Sequence, residues 1–234
     1  QEMLADFHEL PRKPGRKYGS YYHVAFWGDG PRLAQGVPLE KIARNFQDMA
    51  AKGDVEFSVL NVGSIREFIL PIEAVARLTW KPEGFDAGRF LTAWCGREYG
   101  PASGDPVADV YRRFLGAYVM GPKTKDALML DGVIRWAGKQ LVQLALDRDA
   151  YPNRLDTEGT WKALDDFESR TAQSAANFSR VLTLAQQAYN SLPEDRRPLF
   201  RDNVIVQMNT MRGLSVWLHE LCRGFRSYFA LEVE

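Results

Sequence analysis

An α/β segment followed by an all-α segment is the fold class this 234-residue sequence predicts, and three observations predict it. Up to Trp80, β-prone runs alternate with helical periodicity. From Gly84 onward, apolar residues recur at intervals of three and four. Glycine and proline punctuate the junctions between these runs. The order strand, helix, strand, helix implies two parallel strands joined by a crossover. The expected organisation is an α/β domain over residues 1–83 and an α-helical bundle over residues 84–234.

The first strand is carried by Tyr21-Tyr22-His23-Val24-Ala25-Phe26-Trp27, an aromatic, β-prone run closed by Gly28-Asp29-Gly30-Pro31-Arg32. Pro38 then opens a helix that places Ile42, Phe46, Met49 and Ala50 on one face, and Gly53 closes it. The second strand occupies the run from Val55 to Val62. It passes through Gly63-Ser64 into a helix expected from about Pro71 to Leu78. Both strands are nearly continuously apolar, which predicts a sheet covered on both faces. In α/β sheets the loops beyond the carboxyl ends of the strands bind ligands, because polar side chains converge there on a rigid frame. Asn61 sits at that end among apolar neighbours. Its amide either contacts a ligand or satisfies loop backbone.

Beyond Gly84, Asp86 can cap a helix carrying Phe90, Leu91, Ala93 and Trp94 that ends near Gly100-Pro101. Asp105 and Pro106 start the next, with Val107, Val110, Tyr111, Phe114, Leu115 and Tyr118 on its apolar face before Gly121-Pro122. A third runs from about Lys125 to Leu146, and the polar stretch from Asp147 to Asp156 reads as a linker. Two long amphipathic helices finish the chain. One, from about Thr157 to Ser191, sets Leu164, Phe167, Thr171, Ala175, Phe178, Leu182, Ala185 and Tyr189 inward. The other, after Pro193 and Pro198, does the same with Phe200, Val204, Met208, Met211, Leu218, Leu221, Phe225 and Phe229. Packing explains these aromatic and Met positions without a cofactor. His219 lies near the seam with no second ligand at metal spacing, which predicts a hydrogen-bonded structural histidine.

Thirty basic residues balance thirty acidic ones, so no field draws nucleic acid or an anionic membrane. The cluster Arg12-Lys13-Pro14-Gly15-Arg16-Lys17 reads as a solvated connection. Cys95 and Cys222 are the two cysteines, too far apart in sequence to suggest a metal site or disulfide framework, and their apolar neighbours predict buried thiols. No run approaches the roughly 20 apolar residues of a membrane span, and no signal-peptide pattern opens the sequence. The sequence has no nucleophile elbow, phosphate-binding lysine loop, zinc-protease helix or dinucleotide fingerprint, and no cofactor is expected. An eightfold barrel takes about 250 residues by itself. Two strand-helix units therefore read as the end of a larger protein, or as a subdomain whose sheet other strands complete.

Taken together, YYHVAFWGDGPR, the helix after it and VLNVGSIREFILPIEAVARLTW resemble the end of the catalytic barrel of glycoside hydrolase family 115, the xylan α-glucuronidases. That family carries a Tyr-Tyr-His strand ending in Gly-Pro-Arg, then an Asn-Val-Gly-Asp turn and a Pro-Ile helix ending in Ala-Trp. The match spans residues 19–80, with the helical remainder resembling the family's next domain. The resemblance implies the end of a TIM-type barrel, a substrate of uronic-acid-decorated plant polysaccharide, and secretion or a periplasmic location. By position it carries over His23, Pro31, Arg32, Asn61 and Gly63. His23, Arg32 and Asn61 are thereby expected to bind substrate.

Three carboxylates of the family pattern are replaced here by Ala25, Ser64 and Ile69, while Asp29 is an addition in the first glycine turn. Glycoside hydrolysis needs two carboxyl groups flanking the scissile bond. Among the acids of the barrel-like segment, Asp29 and Glu67 sit in loops that could face a pocket, and they are the catalytic candidates. This chain alone is expected to be inactive. The expected partners are the polysaccharide or oligosaccharide and the upstream part of the same protein or a second copy. The alternative expectation is a non-enzymatic carbohydrate-binding or helical interaction module.

Overall fold

The structure is a computed structural model that describes residues 5–25, 32–120 and 158–230, together with Val142 and Leu146. The expected helix from Lys125 to Leu146 and the expected linker from Asp147 to Asp156 otherwise lie outside the described residues. The described chain is mostly helical around two parallel strands. A short helix α1 (Ala5–Glu9) precedes strand β1 (Ser20–His23), helix α2 (Leu39–Ala51), strand β2 (Ser58–Asn61) and helix α3 (Ile69–Trp80). Helices α4 (Ala87–Tyr99) and α5 (Gly104–Leu115) follow. After them come α6 (Glu158–Ser191), the short α7 (Arg197–Phe200), a single π turn (Arg201–Ile205) and α8 (Val206–Ala230).

Strands β1 and β2 pair in parallel, with Ser20 opposite Ser58, Tyr21 opposite Val59, Tyr22 opposite Leu60 and His23 opposite Asn61. The period-2 alternation of strand side chains then sorts these residues onto two faces. Tyr22 is buried against α2, its ring 5.2 Å from Phe46 and its hydroxyl accepting from Asn45 Nδ2 at 3.1 Å. Tyr21 and Val59 point the other way and are 64% and 50% exposed. The expectation of a sheet covered on both faces is thus corrected. A continuous apolar run requires cover on both sides, and among the described residues helices α2 and α3 supply it on one.

The second strand is also shorter than its apolar run, because Val55 and Phe57 are exposed and lie before the paired residues. Helix α3 begins at Ile69 rather than Pro71. Proline fits the first turn, where its missing N–H has no intrahelical acceptor to lose. Asp86 caps α4 as expected, accepting from Arg89 N–H at 2.8 Å.

The core of the helical region is aromatic where α4 and α5 meet. Trp94, Tyr99 and Tyr111 are buried edge to face or tilted, Phe200 closes on Tyr99, and the two tyrosine hydroxyls bond at 2.9 Å. Phe178 of α6 meets Phe114 of α5 and Tyr118 just beyond it. Helices α6 and α8 run antiparallel, since Asp165 faces Arg226, Glu168 faces His219 and Ser174 faces Ser215. His219 Nδ1 lies 3.1 Å from the Glu168 carbonyl, the structural role its sequence position predicts. The seam differs in detail from its expected membership. Ser174, Val181, Ser215 and Cys222 are fully inward, while Ala175, Leu182 and Leu221 lie at its margin. A helix of 3.6 residues per turn drifts across a straight seam, so spacing by threes and fours leaves the choice between neighbouring positions open.

Cys95 and Cys222 are free and buried, and burial pushes their thiols up to about 12 and about 11. The thiolate is the reactive form, so a thiol-specific disulfide reagent is expected to leave the native chain unlabelled and to titrate both cysteines once the chain is unfolded in denaturant. Rapid labelling of the native chain would contradict the burial. Among the described residues, no helix is long and apolar enough to cross a membrane.

Candidate active site

Parallel pairing puts the carboxyl ends of β1 and β2 side by side, and His23 and Asn61 are their last residues, directly opposite each other in register. Two residues 38 positions apart in sequence are thereby joined: Asn61 Nδ2 and His23 Nδ1 lie 3.0 Å apart. The same amide nitrogen donates to the Tyr21 hydroxyl at 3.0 Å. Tyr21 precedes His23 by two, so both project from one face, and their rings meet at 4.6 Å with an interplanar angle of 62°. Burial of the imidazole lowers the His23 pKa below its ordinary value. A ring near neutrality at pH 7 therefore has one N–H donor and one lone-pair acceptor.

The segment around Arg32 reaches the same end of the sheet. A Cβ on Gly63 would lie 2.2 Å from the Arg32 carbonyl oxygen, so the loop after β2 passes against this backbone at a distance that only glycine allows. Arg32 itself is exposed. Glu67 follows in the 3₁₀ turn Arg66–Phe68. Its carboxylate accepts from the Ser64 hydroxyl three residues earlier, which orients it. The structure thus gathers His23, Asn61, Arg32 and Glu67 at one end of the sheet, although Glu67 shares no hydrogen bond with His23 or Asn61. Asp29 and Pro31 lie outside the described residues. Ala25 is buried, and Ile69 packs against the core as the first residue of α3.

A second tier holds the Glu67 turn. The Glu67 carbonyl accepts from Gln35 Nε2 at 2.8 Å and Gln207 Nε2 at 3.0 Å. Gln207 Oε1 accepts from Gln35 N–H at 2.9 Å, and the Tyr118 hydroxyl donates to the Gln35 carbonyl. Beside this network Arg66 pairs with Asp202 of the π turn at 2.6 Å. Sequence reading missed Tyr21, Gln35, Tyr118 and Gln207. Tyr21 alone had a signal, since it shares a strand face with His23. Gln35 and Gln207 are 172 positions apart, and no local pattern relates them. Among the described residues no cluster of His, Cys, Asp and Glu could hold a metal ion.

Tyr21, His23 and Asn61 form a cluster of uncharged hydrogen-bonding groups at the carboxyl end of the parallel strands, with the Arg32 backbone and the Glu67 turn in the segments beside it. That is a location and chemistry suited to polyhydroxylated ligands. The model of the glycosyl hydrolase family 115 matches residues 4–121, and the chain belongs to that family. Among solved structures, a family GH115 4-O-methyl-alpha-glucuronidase with specificity for decorated arabinogalactans superposes with a TM-score of 0.53 at 14% identity. The superposition covers 91% of this chain and 28% of that one, so the fold is shared and this chain spans little more than a quarter of that protein. No curated protein matches the sequence.

Proposed function

We propose that this chain is part of a glycoside hydrolase acting on uronic-acid-decorated plant polysaccharide. In this reading residues 1–83 are the carboxyl-terminal portion of a TIM-type barrel and residues 84–234 a helical bundle domain behind it. The observation that carries the reading is the His23–Asn61 contact across the carboxyl ends of two adjacent parallel strands, where barrel enzymes bind their substrates. Family membership supports the reaction class. The specificity of the related structure for decorated arabinogalactans supports a decorated polysaccharide without limiting it to xylan.

Each residue then has a role set by its chemistry. His23 and Asn61 hydrogen-bond sugar hydroxyls. The Arg32 guanidinium matches a uronate carboxylate in a two-bond fork. Glu67, held by Ser64, and Asp29 are the acids this segment offers to the reaction. The open face bearing Tyr21 and Val59 is the barrel's interior side, and the upstream strands that line it bring the further carboxylates hydrolysis needs. The whole protein is secreted or periplasmic, and its partners are the polysaccharide and the rest of its own chain or a second copy.

In the complete protein, Arg32→Ala is expected to weaken binding of acidic sugars about 10- to 100-fold, the range of a lost charge-assisted hydrogen bond. Neutral sugars should be little affected. Asn61→Ala should weaken both kinds. The isolated 234-residue chain should release no uronic acid from decorated xylan. Appreciable release, or unchanged uronate binding in Arg32→Ala, would overturn the assignment.

A further inference from the structure

Away from the strand ends, a pocket of about 390 Å³ opens where the end of α5 meets α6. Its size falls at the lower end of the range of small-ligand sites, about 300–1,000 Å³. Arg113 of α5 and Arg180 of α6 bring two guanidiniums to it from separate helices, and Ala117, Val181 and Leu184 give it an apolar wall. Asn177 fixes the arrangement. Its Nδ2 donates to the Ala117 carbonyl at 3.0 Å, and its Oδ1 accepts from Arg180 Nη2. A carbonyl only accepts and a guanidinium only donates, so these two partners leave the amide one orientation. Arg180, although exposed, is thereby held by a side chain that is itself tied to the end of α5.

The charges then select the ligand. Arg113 Nε donates to Asp109 at 2.7 Å, whereas Arg180 pairs with no carboxylate among the described residues. A single uncompensated positive charge suits a carboxylate better than a doubly charged phosphate. A guanidinium binds a carboxylate in a planar two-bond fork, and an apolar wall accommodates the C–H face of a sugar ring. We propose that this pocket is an accessory carbohydrate site that takes a uronate residue of the polysaccharide, with the carboxylate between Arg180 and Arg113 and the ring against Val181 and Leu184. The identity of the ligand rests on the proposed acidic polysaccharide; the pocket and its charge do not depend on that reading. A second uronate site on the same chain would hold a decorated polysaccharide at two branches, and linked binding raises apparent affinity through effective concentration.

The test is a titration of the 234-residue chain with methyl glucuronide, read from the Arg180 and Arg113 side-chain Nε–H resonances and the Val181 backbone amide in proton–nitrogen spectra. Saturable shifts of all three are expected. Methyl glucoside lacks the carboxylate and acetate lacks the ring, so each should bind at least about 10-fold more weakly. Arg180→Gln keeps a helix-favouring side chain and should weaken methyl glucuronide at this pocket about 10- to 100-fold, the range of a lost charge-assisted hydrogen bond. Arg32→Ala should leave the response of the pocket unchanged. Leu184→Ser is the second variant. Its parent side chain is 38% exposed, so the chain should fold, and it should weaken methyl glucuronide while leaving acetate unchanged. No shift at the pocket, shifts that survive both Arg180→Gln and Leu184→Ser, or acetate bound as tightly as methyl glucuronide would overturn the proposal, the last by showing a bare anion hole. Failure of the strand-end reading is distinct, because the uronate titrations of Arg32→Ala and Asn61→Ala decide it without touching this pocket.

Discussion

Phe178→Ala is expected to destabilise the chain by about 3–5 kcal/mol, the cost of emptying a fully enclosed aromatic site. Phe178 has no exposed surface. Its ring meets Tyr118 edge-on at 5.0 Å and Phe114 at 6.4 Å, so it is the bolt between α5 and α6. Rings pinned by other buried rings cannot collapse into the void, which places the expected loss in the upper part of the large-to-small range. The Tyr118 hydroxyl donates to the Gln35 carbonyl, so the damage should pass toward the sheet. Urea unfolding of Phe178→Ala and Phe178→Leu measures this. The leucine variant should recover a large part of the loss by refilling volume. A loss in Phe178→Ala below about 1 kcal/mol would mean that α5 and α6 do not share a packed core.

Gln207 should be nearly as sensitive, for a polar reason. It is 1% exposed, accepts from Gln35 N–H and donates to the Glu67 carbonyl. In Gln207→Leu the Gln35 N–H becomes a buried donor without an acceptor, at a cost of about 1–3 kcal/mol. Gln207→Glu keeps an acceptor for Gln35 but buries a carboxylate against the Glu67 carbonyl oxygen. An uncompensated buried charge raises the expected loss to about 3–5 kcal/mol at neutral pH. The sign of its pH dependence is then fixed. Burial raises the pKa of the introduced carboxyl above its unfolded value, so the folded state binds the proton more tightly and stability recovers as pH falls through the raised pKa. The neutral acid also restores an O–H donor toward Glu67. Stability curves of wild type and Gln207→Glu that stay parallel from neutral pH down to the unfolded carboxyl range would show that Gln207 does not hold the Glu67 turn.

The first expectation concerns packing between α5 and α6 and the second the contact of α8 with the segments that follow the strands, and neither was legible in the sequence. Phe178 appeared there as one apolar position among several with the same spacing. Gln35 and Gln207 appeared as nothing. Periodicity reports which face of a helix is buried. It does not report which distant face is its partner, because that choice is made by packing among all elements at once.

What the sequence determined by itself follows from local rules. The strand-helix order gave two parallel strands, the cap at Asp86 gave the start of α4, and the ordered Tyr-Tyr-His and Asn-Val-Gly motifs gave the family. Asn61 was legible as a residue at a strand's carboxyl end, where loops bind ligands. Its role as the hub between Tyr21 and His23 was decided only by the parallel register that sets it opposite His23. Among the described residues, tertiary structure also decided that Tyr21 and Val59 on one sheet face are exposed, since cover depends on neighbours and not on the apolar run itself. It turned Ser64 into the partner of Glu67, and it made Gly63 the point where the Arg32 backbone closes on the site. A short sequence motif fixes which groups are available. Close contacts between residues far apart in the chain fix where their donors and acceptors point, and that orientation is the part of the site's chemistry that only the folded chain contains.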